Sequence, residues 1–249
     1  MKIFTKPPGF TSNDFKYYLI EKNLLSSKSC YIGRLDPMAR GNMLFLENKD
    51  CSLMDTFIGT RKSYEFEIII GLSTDTDDIL GILDNKDLNY NTESILSKVD
   101  LEINNSITIT NQKFHRYSSF MLRKGDKRLP LWEWNKLNKL DKEDIPSKEV
   151  SIDAISTIDH KTYTLKELLE DFIGRISLLN KKHTFRQQEI IQQWKNLTKL
   201  YSDQTSVRSI KVMCNVSSGF YIRELANTIK NKIKFPLLIH DINRTDIIY

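Results

Sequence analysis

The chain has 249 residues, enough for one large domain or two small ones with a real core. Hydrophobic residues make up 40% and charged residues 28%, and 37 Lys and Arg against 32 Asp and Glu leave a formal charge of +5, which permits a polyanionic partner without requiring one. The N-terminus, Met1 to Pro8, has no apolar signal core, and the densest apolar run, Ile68-Ile69-Ile70, is far short of the ~20 residues of a membrane helix.

In chain order, Pro7-Pro8-Gly9 is a loop, and Ser12 or Asn13 is placed to cap a helix over Asp14 to Leu25 with Phe15, Tyr18 and Leu19 on one face. Ile32 to Gly41, dense in Gly, Pro and charge, is a loop, and Asn42 to Glu47 a short strand. Tyr64, Phe66, Ile68 and Ile70 alternate with Glu65, Glu67 and Ile69, a strand that becomes fully buried before Gly71. An acidic loop follows, then a helix over Thr92 to Lys98 and a strand over Ser106 to Thr110. Residues 112–134 are aromatic and basic without a clear period. Thr164 to Leu179 carries Leu165, Leu168, Leu169, Phe172, Ile173 and Ile176 on one helical face, and Phe185 to Leu200 is a second helix. Ile210, Val212, Cys214 and Val216 alternate as a strand, and a helix over Tyr221 to Lys230 follows Gly219. With no regular βαβ rhythm, the class is α+β.

Cys30, Cys51 and Cys214 contain no CxxC pair, so no zinc site is expected; they read as buried or half-buried thiols in the cytoplasm or another reducing compartment. The acidic loop Asp75-Thr76-Asp77-Asp78 lacks the Gly and Glu of a calcium loop, with Leu80 and Lys86 in those places, so no metal is expected there either. His115, His160, His183 and His240 show no ligand spacing.

One segment carries more: Gly33-Arg34-Leu35-Asp36-Pro37-Met38-Ala39-Arg40-Gly41. A proline-restrained loop with an acid between two glycines suits a carboxylate fixed in a cleft that a ligand approaches closely, and equally an Asp-Pro turn at a surface corner. The segment resembles the catalytic loop of TruB-type pseudouridine synthases, G-x-L-D-P-x-A-x-G. Other blocks resemble that family in its order: Lys6 to Ser12, Lys62-Ser63-Tyr64, Gly71 to Asp77, Tyr117-Ser118 with Leu131 to Trp134, Ser217 to Ala226, and Ile239 to Ile247 with Arg244.

The resemblance implies a mixed, largely antiparallel sheet with flanking helices around a central RNA cleft. It implies Asp36 as the catalytic carboxylate, Arg223 as its ion-pair partner, and Tyr64 as the ring that stacks on the flipped base. Lys6 is expected to brace the catalytic loop or touch RNA, Lys62 to meet phosphate or stand solvated, and Asp75 to form a polar turn or contact RNA. Tyr31 stands where many members carry a His that contacts the base; Arg34 belongs to the same RNA-facing loop. Arg123 and Lys124, with Lys127 and Arg128, lie near Trp132 and Trp134, a basic and aromatic mix suited to RNA or, equally, a solvated loop over a satellite core.

The whole of 1–249 is therefore expected to be one catalytic domain with a helical insertion about 161–206 and no C-terminal accessory RNA-binding domain. The expected activity is isomerisation of uridine to pseudouridine in RNA, in the T arm of tRNA, by a monomer with no cofactor, metal or membrane. The alternatives are a tRNA-folding chaperone without catalysis and a nucleoside hydrolase, which usually needs a second acid.

Overall fold

In a computed structural model, which describes residues 1–106 and 108–248, β1 (Lys2–Lys6) leads into α1 (Ser12–Glu21), β2 (Ser29–Ile32) and β3 (Arg40–Glu47). A 3-10 turn (Asn48–Leu53) and α2 (Met54–Ile58) precede β4 (Arg61–Ile70) and the short β5 (Leu72–Thr74) and β6 (Leu83–Lys86). Then come α3 (Thr92–Asn104), β7 (Ile109–Lys113), β8 (Met121–Lys124), β9 (Lys127–Pro130) and α4 (Leu131–Lys136). They are followed by β10 (Ser147–Thr164), α5 (Leu165–Ser177), α6 (Gln187–Leu197), β11 (Ser206–Val216), α7 (Ile222–Ile233) and β12 (Leu237–Ile248).

Among the described residues, eight strands form one sheet in the order β1-β3-β12-β4-β11-β10-β7, with β2 beside β3. Of these strands only β12 and β3 pair in parallel, so the sheet is the mixed, largely antiparallel one expected. β4 sits at its centre, and the alternation of its side chains builds both layers. Phe66, Ile68 and Ile70 join Phe15 and Leu19 of α1, Val99 of α3 and Leu225 of α7 in the larger core. Ile69 points the other way, into a second core with Phe172 of α5 and Trp194 of α6. No helix among the described residues is long and apolar enough to cross a membrane.

Several boundaries differ from expectation for identifiable reasons. The first helix is capped by Thr11, whose hydroxyl accepts from the Asp14 backbone N–H at 3.1 Å, and not by Ser12 or Asn13. Ser12 lies inside the helix and spends its hydroxyl on Leu35. The helix expected over Thr92 to Lys98 continues to Asn104. The strand expected over Ser106 to Thr110 is β7, Ile109–Lys113, and residue 107 lies outside the described residues, as does the last residue of the expected 1–249 domain. β10 lies outside the expectations altogether, because register shifts at Ile152/Ala154 and Thr157/Asp159 break its period of two. It also moves the edges of the expected insertion: Lys161 to Thr164 finish β10 and Ser206 begins β11, so the helical part runs over 165–205. The stretch 112–134 contains the hairpin β8–β9, turning at Gly125-Asp126 with Gly125 at φ 58.

Behind the sheet, charges interlock. His240 of β12 is 5% exposed, with Nδ1 3.0 Å from Glu67 Oε2 and Nε2 2.5 Å from Asp171 Oδ2. Arg175 of α5 pairs with Asp171 and Asp241, and Asp241 with Arg40. With His240 protonated, charge alternates in sign along the whole chain. Burial alone lowers the imidazole pKa, but its hydrogen bonds with Asp171 and Glu67 outweigh that and raise it. A raised folded-state pKa gives stability that is fully present below the unfolded value of about 6.5 and is lost as pH rises through the folded value. The stability that His240 adds, read as the Tm difference between wild type and His240→Gln, is therefore expected to shrink as pH rises above about 6.5. His240→Gln should lose several degrees at the acid end. Thermal melts of both proteins from about pH 6 to about pH 9 check this; a difference that stays constant would refute it.

Candidate active site

The loop between β2 and β3 places Asp36, and the chain fastens it from several sides. Gly9 N–H donates to Pro37 O at 2.9 Å, and Ala39 N–H to Asp36 O at 3.1 Å. Ser12 brackets Leu35, accepting from its N–H at 2.9 Å and donating to its carbonyl at 3.1 Å. Lys6 has no exposed surface; its ammonium donates to the carbonyls of Pro7, Phe10 and Pro37. Lys6 thus ties the Asp36 loop to the Pro7–Phe10 turn from a position without exposed surface. Burial pulls its pKa down to about 7, against the pull of Asp36.

Gly33 and Gly41 serve a different neighbour from the one expected. A Cβ on Gly41 would stand 2.3 Å from the Arg244 carbonyl oxygen, and one on Gly33 would stand 3.1 Å from Arg244 Nη1. The close approach seen here is by β12 of the same chain, and Gly33 also lines the cleft. Arg244, 1% exposed, donates to Asn42 O at 2.6 Å and Gly33 O at 3.2 Å, stapling both ends of the Asp36 loop.

Asp36 opens into a cleft of about 1260 Å³, with its side chain 31% exposed. Arg223, on the first turn of α7, donates Nη2 to Asp36 Oδ1 at 2.8 Å, and its Nε lies 2.8 Å from Oδ2. The Nε contact is ionic but misses hydrogen-bond geometry, which leaves the buried Nε without a hydrogen-bond acceptor. Behind the pair, Arg223 Nη1 donates to Thr76 O at 3.2 Å and lies 3.6 Å from Asp78 Oδ2. Burial pushes the Asp78 carboxyl up to about 6, against the lowering pull of Arg223, and Asp36 adds to the rise. Thr76 donates to Asp78 Oδ1 at 2.7 Å, and Leu80 N–H donates to the same oxygen at 3.0 Å.

Tyr64 lines the same cleft, 7% exposed, between Cys214 of β11 and Arg244 of β12 in register. Burial raises the pKa of its phenol. Lys62, two residues earlier on that face, is buried rather than solvated and donates to the Thr60 carbonyl and hydroxyl; burial lowers it to about 8. Tyr31 and Arg34 stand at the rim, Tyr31 donating to Asn13 Oδ1 at 2.7 Å and Arg34 to Ser119 O at 3.3 Å.

Asp75 also lines the cleft, but its carboxylate is saturated. It accepts from Arg186 at 2.8 and 3.1 Å, from Tyr117 Oη at 2.7 Å and from Ile82 N–H at 2.8 Å. Four donors occupy the lone pairs of one carboxylate, so an RNA contact by Asp75 would have to displace one of them. Arg123 and Lys124 lie on β8, outside the lining of the cleft. Arg123 is exposed, while Lys124 is tied to Asp144 and to Lys139 O. Trp134 is buried in a satellite core with Leu131 and Leu140, its indole donating to Leu122 O at 3.0 Å; Trp132 is exposed beside the cleft.

Sequence reasoning missed Asp78 and Thr76, which back Arg223, and Lys182 to Arg186, which line the cleft from the α5–α6 loop. A signal existed for Asp78: it is a carboxylate in a threonine-rich turn that needs a cation once metal is set aside.

Comparison with known proteins places this geometry. The model of the TruB family pseudouridylate synthase (N terminal domain) matches residues 21–164, more than half the chain, and stops at the residue that caps α5. The tRNA pseudouridine synthase B of Xanthomonas oryzae pv. oryzae is 27% identical over 160 residues, covering 64% of this chain and 48% of that protein. That of Aquifex aeolicus is 38% identical over 79 residues, covering 32% and 27%. The chain spans about half the length, or less, of these curated relatives. Among solved structures, a chain of a Cbf5-Nop10-Gar1 complex superposes with a TM-score of 0.53 at 14% identity, covering 98% of this chain and 48% of that one. A chain of an H/ACA RNP bound to a substrate RNA containing 2'-deoxyuridine gives 0.52 at 12% identity, covering 98% and 47%. At such identities the likeness establishes the fold. On the family match, the chain belongs to the TruB family of pseudouridylate synthases.

Proposed function

We propose that this chain isomerises uridine to pseudouridine in RNA, at a uridine in the T arm of tRNA. The observation that carries the reading is the Asp36 carboxylate, half open to a cleft, held by buried Arg223 beside Tyr64. The reaction breaks the bond from ribose C1′ to uracil N1, turns the base and joins C1′ to C5. The Asp36 carboxylate acts at C1′ or on a ribose proton, and Arg223 pairs with it at 2.8 Å and fixes its orientation. Tyr64 supplies a ring on which an unstacked base rests once it has left its helix. The C5 proton leaves and N1 gains one, so the reaction balances without an oxidant, reductant or other co-reactant. The similarity to tRNA pseudouridine synthase B of Xanthomonas oryzae pv. oryzae and of Aquifex aeolicus supports tRNA as the substrate.

Incubating the purified chain with total RNA and mapping pseudouridine tests this. The expected product is pseudouridine at a T-arm uridine of tRNA, formed in buffer alone. Tight tRNA binding with no product on any RNA would overturn the enzyme reading in favour of a folding chaperone.

A further inference from the structure

The loop between α5 and α6 runs from Leu178 to Arg186, and its residues from Lys182 to Arg186 line the cleft that holds Asp36. Side chains fasten it to two separate parts of the rim. On one side, Lys182 Nζ lies 2.6 Å and His183 Nε2 2.5 Å from the carboxylate of Asp14 on α1. Burial raises the pKa of that carboxyl, but hydrogen bonds from Lys182, Thr11 and His183 outweigh it and hold it at about 2. On the other side, Arg186 forms its bidentate pair with Asp75 and lies over the Tyr117 ring at 5.8 Å. Arg186 sits in the left-handed region at φ 61, a conformation a non-glycine residue keeps where contacts over-determine it. Near the loop's start, Leu178 presses on Gly9, so close that a Cβ there would stand 2.6 Å from Leu178 Cβ. Behind it, α6 is anchored to the acidic loop, Gln193 accepting from Leu83 N–H at 2.8 Å and Trp194 donating to Ile79 O at 3.3 Å.

Electrostatics gives this strap a purpose. Four aspartates line the cleft: Asp36 and Asp78 face Arg223, leaving Asp14 and Asp75 on the rim. Left bare, those two would repel a phosphate backbone. The strap covers both and adds exposed Lys181, with half-buried Phe185 between the basic positions. Lys182 and Arg186 cancel the two negative charges, and Lys181, next in the chain to the lining, adds one positive charge.

We propose that residues 180–186 form the phosphate-binding edge of the cleft, neutralising Asp14 and Asp75 and presenting Lys181 and Lys182 to the RNA backbone. The strap sets how tightly substrate is held rather than how fast the bond is broken. This rests on the pseudouridine synthase reading.

The test compares wild type, Lys181→Ala/Lys182→Ala and Lys181→Glu on transcribed tRNA. Dissociation constants are read at several salt concentrations, KM and kcat from pseudouridine formation, and folding from thermal melts. The double variant should bind about tenfold more weakly at low salt. Its slope of log K against log salt should be shallower by about one to two, since each lost phosphate contact removes roughly 0.7–0.9. KM should rise in parallel, with kcat at saturating tRNA within about twofold. Lys181→Glu, a change at an exposed position, should weaken binding further with an unchanged melt. Variants that keep the wild-type dissociation constant and salt slope would overturn the proposal and leave the strap a purely structural element. Wild type that binds tRNA but makes no pseudouridine would overturn the functional reading alone, and the binding arm would still judge the strap. Wild type that binds no RNA would overturn both.

Discussion

Asp36→Asn is expected to lose at least about a thousandfold in pseudouridine formation while binding tRNA with the wild-type salt dependence. Asparagine keeps the shape of the side chain and one accepting oxygen for the Arg223 guanidinium, which donates at 2.8 Å in the parent. It cannot supply an ionised carboxylate to the sugar. RNA affinity rests on phosphate contacts, stacking and shape, none of which Asp36 provides, so the two readouts separate. Product after long incubation and dissociation constants at two salt concentrations suffice. Product at near the parent rate would remove Asp36 from the chemistry.

Arg223→Ala is expected to damage both activity and stability. The arginine is 4% exposed and faces Asp36 and Asp78, so its removal leaves two carboxylates without their cation. Losing one member of a buried pair costs about 3–5 kcal/mol, and the lower end applies because water reaches Asp36. For a chain of this length that is a Tm fall on the order of 10 °C. Adding Asp36→Asn should restore part of the loss; strictly additive losses in the double-mutant cycle would show that the residues do not interact. The loss also depends on pH. The Asp78 carboxyl already stands at about 6 from burial, above its ordinary 3.8, so it contributes stability in its protonated form that is lost as pH rises through 6. Without Arg223 its ionised form costs more, so the variant should lag wild type most at neutral pH and least near pH 4. Chemical denaturation at both pH values reads the difference.

How legible the molecule was depended on distance along the chain. Strand β4 announced itself through Tyr64, Phe66, Ile68 and Ile70, since one buried face with period two needs only local sequence. α5 did so through its apolar stripe. β10 did not, because its two bulges erase the alternation and its partners fix it from outside. Within the site, Asp36, Tyr64 and Arg223 were found through local blocks of residues. The distant pair of Asp36 with Arg223 was carried by those blocks, while the charge pairs outside them were hidden. Nothing near Asp75 announces Arg186, and nothing near Asp14 announces Lys182 and His183. Arg244 was visible as part of a block, but its work as the staple of the Asp36 loop appears only when β12 lies against β3.

That staple governs when the site can come into being during folding. The bond from Arg244 to Asn42 O joins residues 202 positions apart, and β12 lies between β3 and β4, two strands that precede it in the chain. β3 and β4 are synthesised long before the strand that separates them, so a gap must stay open in the young sheet until β12 enters. Closing so long a loop is slow, because its entropy is lost before the contacts return it. The Asp36 loop has its contacts with Lys6, Gly9 and Ser12 early, but Arg223 and Arg244 reach it only at that late step. A nascent chain can therefore hold the loop in place and still lack the two arginines that complete its surroundings.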